Sequence, residues 1–167
     1  RLLAWIERGD RSYLVEAALR RALGATRDAR ALERLAASLQ DDVGSWGEVV
    51  RCGAAEGLGR LADPAAVEPL LSALEDEATA ATVRRAVLGA LADVRGWVAD
   101  RPTLRRIRET AEAQLGSFDP NVRIAVARLV AALGHEAGLR VLDRTIDRDL
   151  DGRVRRAARE ARRDLRK

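Results

Sequence analysis

The sequence predicts an all-α fold in which antiparallel helix pairs stack into an α-solenoid. One amphipathic helix recurs at spacings of 35, 33, 39 and 32 residues, measured between Val15, Val50, Val83, Val122 and Val154. A second set of amphipathic segments alternates with it, and no stretch shows the period-two pattern of a half-buried strand. A helical repeat of this length is typical of stacked helix pairs that pack on their neighbours.

The recurring helix carries one apolar stripe, because small or apolar residues follow each valine at the third, fourth and seventh positions. The third position is always Ala or Gly, so we expect a neighbouring helix to approach closely there. The eighth position is apolar except in the last copy, where it is Arg162. The residues at these positions are Ala18, Leu19, Ala22 and Leu23; Gly53, Ala54, Gly57 and Leu58; Ala86, Val87, Ala90 and Leu91; Ala125, Val126, Leu129 and Val130; and Ala157, Ala158, Ala161 and Arg162.

The segments between these helices have stripes of their own at helical spacing. Gly24 and Gly134 suit helix ends, and the Asp-Pro pairs at 63–64 and 119–120 suit helix starts. The stripes are Leu32, Leu35, Ala36 and Leu39; Val67, Leu70, Leu71 and Leu74; Leu104, Ile107, Ala111 and Leu115; and Leu139, Leu142 and Ile146.

These signals predict ten helices, paired into about five repeats within a single domain over residues 1–167. The helices lie near residues 2–8, 12–24, 28–40, 46–61, 64–75, 79–93, 103–116, 120–134, 136–147 and 151–165. The repeats lie near residues 1–24, 28–61, 64–93, 103–134 and 136–165.

A Val-Arg pair opens four of the recurring helices, at 50–51, 83–84, 122–123 and 154–155, and residues 119–134 read "DPNVRIAVARLVAALG". These residues resemble the HEAT-repeat class, which implies a HEAT/armadillo-like superhelix. The last copy has eight basic residues in 153–167, as a polar capping repeat would. The first helix, "LLAWIE", presents apolar residues without an upstream partner, and the chain lacks a starting methionine. We therefore expect a fragment whose N-terminal end faces the rest of a longer protein.

Composition narrows the classes of function. The 30 basic residues nearly balance the 26 acidic ones, and aromatic residues are 3% of the chain, so a nucleic-acid partner is not expected. No apolar run approaches the roughly 20 residues of a membrane span. A single cysteine excludes an internal disulfide and a cysteine-based zinc cluster. This cysteine usage and the missing leader favour a cytoplasmic location.

Catalytic, cofactor-binding and metal-ligating residues are not predicted. His135 begins "HEAGL", which has Leu139 where a zinc-protease helix needs its second histidine, so we expect a polar cap at a helix corner. Ser12, Ser45 and Ser117 are expected to cap backbone amides. Cys52, among Gly53, Ala54 and Ala55, is expected to be a buried small residue and not a reactive thiol. The acidic groups Asp41/Asp42 and Glu75/Asp76/Glu77 are expected to be solvated.

Four arginines recur at the position after the valine, and stacking should align them in a ladder. We expect them to pair with loop carboxylates and so join adjacent repeats. An anion-binding or nucleic-acid-binding surface is the alternative. The arginines are Arg51, Arg84, Arg123 and Arg155, and the expected partners include Asp119 and Asp151.

Residues 10–71 include "SYLVEA" and "SWGEVVRCGAAEGLGRLADPAAVEPLL", and "LDGRVRRAAREA" lies near the end of the chain, at 150–161. These stretches resemble the C-terminal helical domain of zinc aminopeptidases of the membrane alanyl aminopeptidase type, which are gluzincin metallopeptidases. The resemblance implies a zinc site in an upstream catalytic domain of the parent protein and no cofactor in these residues. It also implies a non-catalytic scaffold that packs on that domain and walls its substrate cavity. The alternative is a HEAT-repeat adaptor that binds another protein or a nucleic acid through its concave face.

Overall fold

The chain folds into ten α-helices within residues 2–41 and 47–166, which the computed structural model describes apart from the side chain of Leu3. The helices are α1 (Leu2–Arg8), α2 (Tyr13–Ala25), α3 (Ala31–Gln40), α4 (Gly47–Arg60), α5 (Val67–Glu75), α6 (Ala81–Val94), α7 (Arg101–Ala113), α8 (Pro120–Leu133), α9 (Glu136–Arg148) and α10 (Gly152–Leu165). Short 3-10 turns lie at Pro64–Ala66, Arg95–Trp97 and Gln114–Gly116. These described residues form no strand. The all-α solenoid is confirmed, and each helix lies within three residues of its predicted bounds.

Side-chain caps explain why the helix boundaries were readable from the sequence. Four aspartates accept a hydrogen bond from a backbone amide two or three residues on, which stabilises each start by about 1 kcal/mol. Gly134 ends α8 in the left-handed conformation at φ 69°. The capping aspartates are Asp63, Asp100, Asp119 and Asp151, and the distances to the amides of Ala65, Thr103, Asn121 and Arg153 are 2.7–2.9 Å.

The chain divides into two compact units, Arg1–Trp97 and Val98–Lys167. In the first unit α4 packs between α2 and α6, while α3 and α5 form a second layer against them. Large aliphatic side chains fill the space between the layers, including the fully buried Leu35, Leu58 and Leu70.

The second unit, Val98–Lys167, has the same two-layer construction. Helices α8 and α10 lie side by side, and α7 and α9 pack against them. Ile107, Leu129 and Leu142 are fully buried in its core. The expectation of a single repeat domain stays a prediction.

The predicted register is confirmed in four copies and wrong in the first. Val50, Val83, Val122 and Val154 are all buried. In α2, however, Val15 is half-buried, Ala18 and Ala22 are exposed, and the buried set is Glu16, Ala17, Leu19, Arg20, Leu23 and Gly24. The helix is rotated because Arg20 pairs with Glu16, which lets two charged side chains enter the core together. An apolar stripe cannot reveal such a pair.

Candidate functional site

The two ladder arginines of the first unit hold loops through backbone carbonyls. Arg51 donates from Nε to the carbonyl of Leu39 at 2.7 Å and from Nη2 to the Thr79 hydroxyl at 3.2 Å. Arg84 donates from Nε to the carbonyl of Thr79 at 2.8 Å. Its Nη2 donates to the carbonyls of Asp76 and Glu77 at 3.1 and 3.0 Å. The loop before α6 is therefore bound from both sides.

The two ladder arginines of the second unit do the same with one added carboxylate. Arg123 donates from Nη1 to the carbonyls of Ser117 and Phe118 at 2.7 and 3.3 Å. Its Nε and Nη2 make a bidentate pair with Asp149 at 2.8 and 3.0 Å. Arg155 donates to the carbonyls of Asp149 and Leu150 at 2.7 and 3.0 Å. The hydrogen bond from Arg123 holds the pKa of the Asp149 carboxyl below its ordinary value.

The prediction of which carboxylates pair with the ladder arginines was therefore wrong. Asp119 and Asp151 cap helices, and Arg123 binds the carboxylate of Asp149 instead. The physical reason is that a guanidinium has five donors in a fork, and the carbonyls of a tight loop offer acceptors that no side-chain pattern encodes. A signal existed in the spacing, because Ser117 and Asp149 each stand six residues before the arginine that binds them.

The loops held by Arg123 and Arg155 each present one large apolar side chain to solvent. Phe118 is 103% exposed and Leu150 is 96% exposed, and each precedes its arginine by five residues. Both line one groove of about 570 Å³. The hydrogen bonds from the arginines hold the loop backbones in a conformation in which both side chains lie outside the core. Their exposure is therefore a property of the ordered loops.

Charged residues border this groove, named here the Phe118–Leu150 groove. Arg144 lies 3.5 Å from the Glu112 carboxylate, and Arg148 is exposed and has no ion pair within residues 2–41 and 47–166. Asp149 is already engaged by Arg123. The groove therefore combines two apolar side chains with guanidinium groups that can donate hydrogen bonds to a carboxylate.

A separate basic stripe runs along α10. Arg156, Arg159, Arg163 and Arg166 are exposed and follow one another at spacings of three, four and three residues, which places them on one helix face. None of the four has a carboxylate partner in the part of the chain that the structure describes. The stripe extends about 15 Å at 1.5 Å per residue.

The predicted cap at His135 is confirmed. Its Nδ1 accepts a hydrogen bond from the amide of Ala137 at 3.1 Å, and His135 is the N-cap residue of α9. Ser117 accepts from the amide of Asp119 at 3.3 Å. Ser12 occupies the N-cap position of α2, but its hydroxyl caps no amide, so that expectation was wrong. Ser45 and Asp42 lie outside the described residues.

Cys52 is half-buried on α4 and has no disulfide partner. Burial, with a smaller contribution from Glu56, raises the pKa of the thiol, and a raised pKa disfavours the reactive thiolate. Asp41 and Glu75–Glu77 are exposed, as expected. In the stretches that the structure describes, His, Cys, Asp and Glu residues do not gather in threes that could hold a metal ion.

Comparisons with known proteins report HEAT repeats at residues 45–115. Among solved structures, the chain is similar to human deoxyhypusine hydroxylase in complex with glycerol, at 24% identity and a TM-score of 0.43. That similarity covers 98% of this chain and 73% of the other. A search of curated proteins found no match. Within the described residues, every helix is too short or too polar to cross a bilayer.

These findings correct the resemblance to zinc aminopeptidases. The stretch that carried most of it, residues 10–71, overlaps residues 45–115, which match HEAT repeats. The expectation that this chain is the non-catalytic part of a zinc aminopeptidase was therefore wrong. The physical reason is that the quoted segments are faces of packed helices, and antiparallel helix pairs in unrelated proteins need the same apolar spacing. What stands is an all-α helical scaffold in which residues 45–115 match HEAT repeats.

Proposed function

We propose that this scaffold binds a protein segment in the Phe118–Leu150 groove. The segment would carry an apolar side chain close to one or two carboxylates. The single observation that carries the proposal is the full exposure of Phe118 and Leu150 in one groove, on loops that arginines hold in place. A scaffold with this arrangement offers a site that needs little reordering on binding, which lowers its entropic cost.

The energetics favour a protein ligand of this chemistry. Covering a fully exposed Phe or Leu side chain contributes about 1.5–3 kcal/mol each. Aromatic and arginine residues are also the types that most often dominate binding energy at protein interfaces. Arg148, which has no ion pair in the described stretches, and Arg144, whose contact with Glu112 is long, would receive the carboxylates.

A peptide selection tests the proposal. Short random peptides displayed on phage are selected against the full chain, and the affinities of enriched peptides are measured by fluorescence polarisation. We expect enriched sequences to combine an aromatic or aliphatic residue with a nearby Asp or Glu. Phe118→Ser and Leu150→Ser should each weaken binding about tenfold, because each removes one buried anchor.

Leu14→Ser is the matched control, since Leu14 is an exposed apolar residue on α2. It should leave the affinity unchanged. Enriched peptides that bind the Phe118→Ser/Leu150→Ser double variant as tightly as the parent chain would exclude the groove as the binding site. Thermal unfolding of each variant checks that the fold is kept.

The stripe on α10 supports a second candidate function, the binding of a single-stranded nucleic acid. Four arginines on one face, none with a carboxylate partner among the described residues, could contact up to four phosphates. The affinity for a labelled oligonucleotide should then fall with salt, with a logarithmic slope of about −2.8. Arg156→Gln/Arg163→Gln should reduce that slope by about half. A salt-independent affinity would remove this candidate.

A further inference from the structure

A second cavity, of about 510 Å³, lies within the second unit beside the N-terminal half of α7. Its apolar wall includes Leu104 and Leu133, both half-buried. Cavities of about 300–1,000 Å³ with apolar walls and a few polar groups are the usual form of small-molecule sites. The volume and lining therefore suit a small organic ligand.

The charged side chains that line this cavity are all arginines. Arg101, Arg105 and Arg108 line it, together with His135, and its described lining contains no carboxylate. Arg105 pairs through Nε with Glu109 at 2.7 Å, and Arg108 pairs through Nε with Glu112 at 3.2 Å. Each guanidinium carries five N–H groups, so these pairs leave further donors for a ligand. Arg101 has no ion pair in the described part of the chain.

His135 adds a donor whose tautomer is determined by its role as a cap. Its Nδ1 accepts the amide hydrogen of Ala137, so the proton of a neutral ring resides on Nε2. The group that the ring can offer to a ligand is then an N–H donor. An anionic oxygen would accept from this donor as well as from the guanidinium groups.

We propose that this cavity binds an amphipathic organic anion, with its carboxylate or phosphate at the arginines and His135 and its apolar body against Leu104 and Leu133. A neutral apolar ligand would leave the Arg101 guanidinium without a carboxylate or phosphate partner, and a small inorganic anion would leave the apolar wall uncovered. The site is separate from the Phe118–Leu150 groove in its lining residues, so either proposal can fail without the other.

Isothermal titration calorimetry on the full chain at low salt tests the proposal with four probes. Octanoate and octyl phosphate carry both features, octanol lacks the charge, and acetate lacks the chain. We expect saturable binding of one equivalent of octanoate or octyl phosphate, at least about tenfold tighter than octanol or acetate. The preference between the two anions identifies the head group.

Two variants test whether the ligand binds in this cavity. Arg101→Gln/Arg105→Gln should weaken the preferred anion about tenfold or more. His135→Asn should weaken it several-fold while the melting temperature holds, because asparagine is also a good N-cap residue. The matched control, Arg156→Gln/Arg159→Gln on α10, removes the same charge elsewhere and should leave the affinity unchanged. Equal binding of octanol and octanoate, no saturable binding, or equal weakening by the control would overturn the proposal.

Discussion

The two compact units bring their helices together by different means. In the first unit, glycines allow backbone to touch backbone: a Cβ built on Gly53 would lie 2.6 Å from the Cα of Ala17, and one on Gly24 would lie 1.9 Å from the carbonyl oxygen of Gly57. A Cβ on Gly59 would similarly lie 2.9 Å from the Cα of Ala90. The stack α2–α4–α6 therefore depends on missing side chains.

The second unit uses larger side chains and charge pairs. Valine and leucine fill the stripe of α8, and ion pairs connect successive elements, as Arg123 does with Asp149 and Arg162 with Asp143. Its grooves and its basic stripe lie among these charged residues. One repeat pattern thus yields a tightly packed unit and a charge-rich unit, and the candidate binding sites described above lie in the second.

The largest expected effect is on the free energy of unfolding, and it comes from changing the same repeat position in each of the two units. Leu58 is fully buried in the first unit, whereas Arg162 occupies the equivalent position in the second and is partly exposed. Leu58→Asp buries an unpaired charge and should lower the free energy of unfolding by about 4 kcal/mol or more, measured by urea denaturation.

Arg162→Asp is its control. It removes the ion pair with Asp143 and places two carboxylates close together, but solvent screens them, so the expected loss is about 1 kcal/mol or less. Similar losses at the two positions would mean that the repeat register is wrong in one unit.

The next largest expected effect, also on the free energy of unfolding, comes from adding a side chain where the glycines let the helices approach. Gly53→Ala should lower the free energy of unfolding by about 2 kcal/mol, because a Cβ 2.6 Å from the backbone of Ala17 forces α2 and α4 apart. Gly89→Ala on α6 is the matched control, since nothing lies within 4 Å of its Cβ position. There the gain in helix propensity should stabilise the chain by up to about 1 kcal/mol. Equal signs for the two changes would contradict the proposed role of the glycines.

The smallest expected effect is on the pH dependence of stability, and it concerns Asp149 in the second unit. The pKa of Asp149 is lowered by its hydrogen bond with Arg123, so its stabilising contribution is present above the ordinary value of 3.8 and is lost as pH falls through the lowered pKa. Asp149→Asn should cost about 1–2 kcal/mol at pH 7. It should also flatten the loss of stability between about pH 5 and pH 2.

Glu109→Gln is the comparison for this prediction, because Glu109 pairs with Arg105 at an exposed position. Its effect at neutral pH should be smaller than that of Asp149→Asn. An acid unfolding profile that is the same for Asp149→Asn and the parent chain would show that Asp149 contributes nothing to the pH dependence.

The helix boundaries and most of the core could be predicted because both depend on local signals. Capping residues mark single corners, and the stripes follow from a period of 3.6 residues. The cap at His135 was predicted for the same reason. The register of α2 could not be, because burying Glu16 and Arg20 requires that they pair, and the apolar pattern carries no information about such a pair.

The candidate sites were less accessible to sequence reasoning. The acceptors of the arginine ladder are mainly carbonyls, which every residue possesses, so no residue type identifies them. Phe118 and Leu150 stand at equivalent positions before Arg123 and Arg155, but an apolar residue in a sequence predicts burial by default. Only the loop geometry reveals that both side chains are exposed.

By itself, the sequence determined the class of fold, the number of helices and nearly all their limits, because each of these depends on residues within a few turns of one another. The tertiary structure decided which glycines are indispensable, which charged pair enters the core, which loop carbonyls the arginines bind and which apolar side chains remain in solvent. Each of these outcomes depends on atoms that are distant along the chain and meet only after the helices have packed.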